Sequence, residues 1–117
     1  MSAEHTCLFC KIIEKQIPAK VVYEDNIAVA FEDVNPQAPV HILVVPRKHV
    51  PDIQSMTDAD RETIGHLFWI GAKLAAEMGL TNRGYRTVIN NGPDAGQTVF
   101  HIHMHLLSGR TFSWPPG

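Results

Sequence analysis

Between Phe100 and Leu107 the chain reads Phe-His-Ile-His-Met-His-Leu-Leu, with apolar and imidazole side chains in alternation. Side chains on an extended strand point to opposite faces in turn. The spacing therefore predicts that Phe100, Ile102, Met104 and Leu106 enter the core while His101, His103 and His105 line the other face. Alternate residues stand about 6.6 Å apart along a strand and the outer two histidines about 13 Å apart. Two adjacent rings can reach one metal ion at that spacing, whereas three on one ion require a distorted strand. A neutral imidazole is nucleophilic and titrates near pH ~6.5. One ring can attack phosphorus while a protonated neighbour neutralises phosphate charge or delivers a proton to a leaving group. The turn just upstream, Asp94-Ala95-Gly96-Gln97-Thr98, could offer backbone N–H groups to phosphate oxygens.

A second chemical pattern lies near the N-terminus, where Cys7 and Cys10 are three residues apart. In a reducing compartment this spacing points to a metal or a redox pair rather than a structural disulfide.

Positioning these groups requires a sheet. Val21–Glu24 and Ile27–Glu32 flank Asp25-Asn26 and predict a hairpin. Asn35-Pro36-Gln37-Ala38-Pro39 predicts a rigid loop, followed by a β-rich run over His41–Val45 that stops at Pro46. Tyr85–Asn90 and Val99–Leu107 predict two further strands, separated by the Gly-rich loop 91–96. A short helix is expected over residues 7–16, ending before Pro18. The clearest helix opens on a capping box of Thr57 and Asp60. It carries Ile64, Leu67, Phe68, Gly71, Leu74, Ala75 and Met78 at helical spacing and stops at Gly79. No regular β-α-β alternation is present, which favours an antiparallel α+β sheet over a parallel doubly wound one.

Composition bounds the function. A chain of 117 residues with 44% hydrophobic content suits one globular domain, residues 1–117, with 1–6 expected to be disordered and 111–117 a C-terminal tail. The net charge of −2 argues against nucleic acid as a partner. The N-terminal residues have neither a basic start nor a long apolar run, and no stretch is long enough to span a membrane. A cytoplasmic protein with no membrane partner is therefore expected.

The segment His101-Ile102-His103-Met104-His105-Leu106-Leu107 resembles the His-φ-His-φ-His-φ-φ signature of the histidine-triad superfamily, where φ is apolar. Phe9–Pro18, Asn35–Pro39, Val44–His49 and Gly96–Val99 resemble it as well, and the ending Trp114-Pro115-Pro116-Gly117 is similar to the Hint branch. Thr98 departs from the serine of many Hint members, and many animal members lack the cysteine pair kept here.

The resemblance implies a HIT-like fold, an antiparallel five-stranded sheet with two helices, continued across a homodimer. It implies a purine nucleoside phosphoramidase acting on AMP or GMP conjugates of an amine or lysine, with no cofactor for catalysis. His103 matches the nucleophile that forms a covalent nucleotidyl-imidazole. His105 matches the group that contacts the α-phosphate and serves the leaving group, His41 the fourth histidine of the relay, and His101 the remaining triad member. Asn90, Gly96, Gln97 and Thr98 match phosphate and ribose contacts, and Asp33 the carboxylate for the ribose hydroxyls. Phe9, Ile12, Phe31, Val34 and Leu43 match the base pocket, and Trp114 a tail residue that reaches the partner's site. A structural zinc held by Cys7, Cys10, His49 and His101 is expected, an arrangement similar to some bacterial members.

Simpler readings stand beside these. Asp33 can cap a turn and Asn90 can serve as a loop hydrogen-bonder. Core packing accounts for Phe9, Ile12 and Phe31, and the two cysteines can be free thiols. His5 and His66 are given no role, His66 being read as a surface residue. Rival functions are a metal-dependent hydrolase, a non-catalytic nucleotide-binding scaffold, and, within the superfamily, dinucleoside polyphosphate hydrolysis or nucleotidyl transfer.

Overall fold

A computed structural model describes residues 6–117; His5 and the other residues before Thr6 lie outside it. Cys7 caps the first helix, α1 (Leu8–Ile13), with its Sγ accepting from the Cys10 N–H at 3.4 Å. The helix is shorter than the 7–16 span expected, because Lys15 turns to a φ of 63° and ends it.

The hairpin forms as the sequence predicts, from β1 (Val21–Glu24) and β2 (Ala28–Glu32). β3 (Val40–Pro46), β4 (Arg86–Val88) and β5 (Met104–Ser108) complete an antiparallel sheet in the order β1-β2-β3-β5-β4. β3 lies at its centre, which explains its unbroken apolar run Ile42-Leu43-Val44-Val45. Ile42 and Val44 face one cluster with Ala28, Ala30, Met104 and Leu106, while Leu43 and Val45 face another with Phe9, Val29 and Phe31.

The long helix α2 (Arg61–Glu77) covers the first cluster. The capping box of Thr57 and Asp60 forms on the 3-10 turn Asp58–Asp60 that leads into α2, the Asp60 carboxylate accepting from the Thr57 N–H at 2.9 Å. Leu67, Ile70, Gly71, Leu74 and Ala75 are buried, and full burial of each large aliphatic side chain contributes about 1.5–3 kcal/mol. Gly79, at φ 74°, ends the helix as expected. Phe68 and Met78 do not join the buried stripe. Ile70 does, and the docked face runs through positions 67, 70, 71, 74 and 75, leaving Phe68, Trp69 and Met78 exposed.

Two strands are shorter than expected. β4 keeps three residues of Tyr85–Asn90. β5 begins at Met104, not Val99, because ladder pairing with β3 ends at Val44↔Met104. Upstream, the Ile102 N–H is taken by the Val50 carbonyl at 2.8 Å and the chain leaves the sheet. Phe100 consequently lies half exposed instead of entering the core, while Ile102, Met104 and Leu106 are buried as expected. Among the described residues no helix is long and apolar enough to cross a membrane.

Candidate active site

The sheet face opposite α2 carries His41 on β3 and His105 on β5, with His103 just before β5. The register pairs Leu43 with His105 and His41 with Leu107, so the three rings converge from adjacent strands. His103 and His105 lie 5.0 Å apart by ring centroid, His41 and His105 5.1 Å.

Backbone groups fix the protons on these rings. The His103 Nδ1–H donates to the His101 carbonyl at 2.8 Å, which leaves a lone pair on His103 Nε2. The Gln37 N–H donates to His41 Nδ1 at 3.0 Å, so the His41 proton sits on Nε2. That proton meets His105 Nδ1 at 2.8 Å, and the His105 proton is in turn placed on Nε2. The face thus presents an acceptor at His103 and a donor at His105.

Burial keeps the rings neutral. It pushes His105 down to about 4, reinforced by His103 and His41 and opposed by Asp33. It also lowers His103, against the His101 carbonyl and Asp33, and lowers His41, against Asp33. A protonated neighbour in the resting site is therefore disfavoured, and His103 keeps a neutral ring with a lone pair on Nε2.

A cavity of about 600 Å³ opens over this face. Of the residues expected at a nucleotide site, Phe9, Ile12, Phe31, Asp33, Val34, Leu43, Gly96, Thr98, His103 and His105 line it, together with His41. The apolar members gather at the α1–β2 end, where Phe9 packs edge-on against Phe31 and His103 at 5.6 and 4.9 Å. Asp33 caps the turn and also faces the cavity. Its Oδ1 accepts from the Asn35 N–H at 2.9 Å, capping the turn, and its Oδ2 lies 3.4 Å from His41 Nε2 at the cavity wall.

Four expected residues do not line the cavity. Asn90 is half-buried after β4. Gln97 is buried and braces the loop, donating to the Pro51 and Val99 carbonyls and accepting from the Gly92 N–H. Trp114 is 82% exposed. His101 is fully buried in a different cluster. Gln37, whose peptide N–H sets His41, was legible only as part of a rigid loop.

That other cluster joins Cys7, Cys10, His49 and His101. His101 Nδ1 lies 3.4 and 3.5 Å from the Cys7 and Cys10 sulfurs, and His49 Nδ1 lies 3.3 Å from Cys10 Sγ and 3.2 Å from His101 Nδ1. A tetrahedral zinc with two sulfur and two nitrogen ligands has S–N and N–N edges of roughly 3.3–3.6 Å. The donor set fits. The His101 Nε2–H donates to the Pro46 carbonyl at 2.7 Å, which leaves Nδ1 free to ligate. His49 Nε2 is buried and has no partner among the described residues. A ring that turns Nδ1 into the cluster at that cost is better explained by a ligand bond than by a hydrogen bond. Burial, partly offset by the Pro46 carbonyl, pushes His101 down to about 4, the neutral state a metal requires.

His66, read as a surface residue, instead places Nε2 2.6 Å from Asp25 Oδ2 and stacks on Trp69 at 5.5 Å. It ties α2 to the β1–β2 turn.

Known proteins resemble this chain in sequence and fold. A family profile described as HIT domain matches residues 14–112. An uncharacterised HIT-like protein of Synechocystis is 52% identical over 115 residues, which cover 98% of this chain and 99% of the relative. The crystal structure of a HIT family hydrolase from Legionella pneumophila superposes with a TM-score of 0.93 at 49% identity, covering 95% of this chain and 99% of that one. A zinc-bound histidine triad family protein from Mycobacterium smegmatis gives 0.81 at 33% identity, covering 96% and 81%.

Proposed function

The chain belongs to the histidine-triad (HIT) domain family, and from that premise we propose that it is a hydrolase of nucleoside 5′-phosphoramidates working through a covalent nucleotidyl-histidine. The observation that carries this reading is the proton arrangement. His103 offers a lone pair on Nε2 and His105 offers a proton on Nε2, both at the cavity wall.

The purine lies at the apolar end among Phe9, Ile12, Phe31, Val34 and Leu43, with Asp33 taking the ribose hydroxyls and Gly96 and Thr98 facing the phosphate. His103 Nε2 bonds to phosphorus as the P–N bond breaks. The electron pair stays on the departing nitrogen, which takes the proton from His105 Nε2. The positive charge acquired by His103 offsets the negative charge left on the His41–His105 pair. Water then attacks phosphorus, returns a proton to His105 Nε2 and releases His103.

Cys7, Cys10, His49 and His101 hold a structural zinc that contributes to folding and takes no part in the reaction. The Zn-bound histidine triad protein of Mycobacterium smegmatis supports this reading.

The protein acts as a cytoplasmic homodimer, its sheet continued through the β4 edge. The exposed side chain of Tyr85, next to β4, supports that surface. Trp114 does not line its own chain's cavity, and its exposure suits a residue that reaches across the dimer.

Turnover of AMP joined to a panel of amines, with isolation of a nucleotidyl-histidine peptide after acid-free quenching, tests the activity. No P–N cleavage by folded, zinc-replete protein would overturn it.

A further inference from the structure

The His41–His105 relay does not end at His41. Its proton arrangement depends on the Gln37 N–H, which occupies His41 Nδ1. Nothing in residues 35–39 binds that peptide to the sheet by a ladder, since β3 begins only at Val40. The carbonyl of the same residue, on the next peptide unit, is held from beyond β5. Arg110 Nε donates to the Gln37 carbonyl at 3.1 Å. The two polar groups of one residue are thus committed in series, the carbonyl to Arg110 and the N–H to His41.

The guanidinium is itself held in place. Its carbon lies 4.2 Å from the centroid of the Phe112 ring, and an Nη donates to the Thr111 carbonyl at 3.2 Å. None of the ion pairs found among the described residues involves Arg110. No Asp or Glu lines the cavity beside it. A carboxylate partner, the usual competitor for such a fork, is not drawing it away.

The preceding residue adds a steric clamp. Gly109 has a φ of 98°, and a Cβ there would lie 2.7 Å from Cβ and 3.0 Å from Cγ of Pro39. Pro39 is a rigid ring that cannot yield as a flexible side chain would. The chain at 109–110 therefore passes too close to Pro39 for any side chain at 109 and hydrogen-bonds Gln37, so it lies against both neighbours of Ala38.

We propose that Arg110 is a positioning residue for the reaction, selecting through the backbone on either side of the Gln37 Cα which ring nitrogen of His41 carries the proton. With Arg110 in place, His41 carries it on Nε2 and His105 presents Nε2–H to the leaving nitrogen. With the Gln37 peptide released, His41 can hold its proton on Nδ1 instead. His105 must then donate from Nδ1 to His41, and its Nε2 becomes a lone pair that cannot protonate an amine. Arg110 touches no substrate in this scheme.

This inference rests on the phosphoramidase reading for its kinetic test, but not for its spectroscopic one. The kinetic test compares kcat/KM for an alkylamine phosphoramidate of AMP with that for the p-nitrophenyl ester of AMP. The nitrophenolate leaves without a proton, so it does not need the relay's donor. In Arg110→Gln, kcat/KM for the alkylamine substrate should fall by about tenfold to a hundredfold, within the range of a lost proton donor, and that for the ester by less than about threefold. In a His41→Ala background the same change should add little, because the two residues act in one chain.

Equal losses on both substrates, or full additivity with His41→Ala, would make Arg110 a structural residue and overturn the proposal. The ring ¹⁵N spectrum of His41 provides the independent readout. Wild type should show the Nε2–H form, and both Arg110→Gln and Gly109→Ala a mixture shifted toward Nδ1–H. An unchanged His41 tautomer in both folded variants overturns the proposal even if no substrate is turned over. Absent turnover by wild type with a shifted tautomer would instead condemn the phosphoramidase reading and leave the positioning role standing.

Discussion

His101 faces two ways: its side chain enters the Cys7–Cys10–His49 cluster, and its carbonyl accepts the His103 Nδ1–H at 2.8 Å. The metal-type cluster and the proposed nucleophile His103 are therefore joined by one residue. A displacement of His101 that leaves the fold intact would release the proton that keeps His103 Nε2 unprotonated.

Zinc loss should accordingly be felt twice. Metal analysis of protein purified without added zinc or chelator should give about one equivalent per chain. Cys7→Ser should lower the melting temperature, reduce kcat through His101 and raise KM as well, since Phe9 of the base pocket stands between the two cysteines on α1 and packs with them in one cluster. Metal-free wild type with an unchanged melting temperature and kcat would exclude the site.

His103→Ala removes the covalent route, whereas losing an acid or base alone costs about 10²–10⁴-fold. We expect kcat to fall by at least about 10³-fold with nucleotide affinity largely kept. Single-turnover assays and equilibrium AMP binding check both halves, and activity within tenfold of wild type would remove His103 from its role.

Much of this site was legible in the sequence because alternation on a strand is a strong geometric constraint. Ile102, Met104 and Leu106 are buried as the pattern requires. It failed at Phe100, because Pro46 closes β3 and the Val50 carbonyl draws Ile102 out of the ladder. Gln37 left no sequence signal since it acts through its peptide groups, which every residue possesses. Gln97 had a recognisable side chain, but its amide is consumed by three contacts within the loop region. The partner of His66 is 41 positions away, so a helical histidine read locally looked like surface.

Asp25 is the stability counterpart of the site. Burial works against its charge, but His66, the Ile27 and Ala28 N–H groups and the Tyr23 hydroxyl together hold its carboxyl well below the usual carboxylate range. A depressed carboxylate stabilises the fold above its unfolded pKa of about 3.9 and loses that contribution as pH falls toward its folded value. At neutral pH, Asp25→Ala should cost about 2 kcal/mol through the groups left unpaired, with kcat unchanged where the protein is folded. Urea denaturation monitored alongside activity measures this, and a cost below about 0.5 kcal/mol would mean the α2–hairpin tie is idle.

His105 gives a different acid dependence. Its folded pKa is pushed down to about 4, so below the unfolded value of about 6.5 the unfolded chain binds the proton more readily. Its contribution is complete above about pH 6.5 and declines as pH falls toward 4. Between pH 7.5 and 5 the loss from this one group is about 2 kcal/mol. His105→Gln, which cannot titrate, should lose about that much less over the same interval. Parallel pH profiles of the urea midpoint for the two proteins would contradict the burial of the ring.

The C-terminal tail provides the test of assembly. Trp114 is followed by two prolines, which restrict the segment and lower the entropic cost of presenting it in one direction. Its side chain is 82% exposed and stands outside the cavity of its own chain. An aromatic side chain of that size is a typical anchor at an interface. If it shapes the partner's leaving-group pocket, deletion from Trp114 onward should lower kcat/KM for a bulky amine by about tenfold or more. A mixed dimer separates action across the interface from action within a chain. One chain carries His103→Ala with an intact tail, and the other carries His103 but ends before Trp114. Only one site then holds an intact nucleophile, and the only tail available to it belongs to the other chain. That site should turn over the bulky substrate about as well as one wild-type site. If purified mixed dimers do no better per His103 than the truncated homodimer, the tail serves its own subunit and the reading across the interface fails.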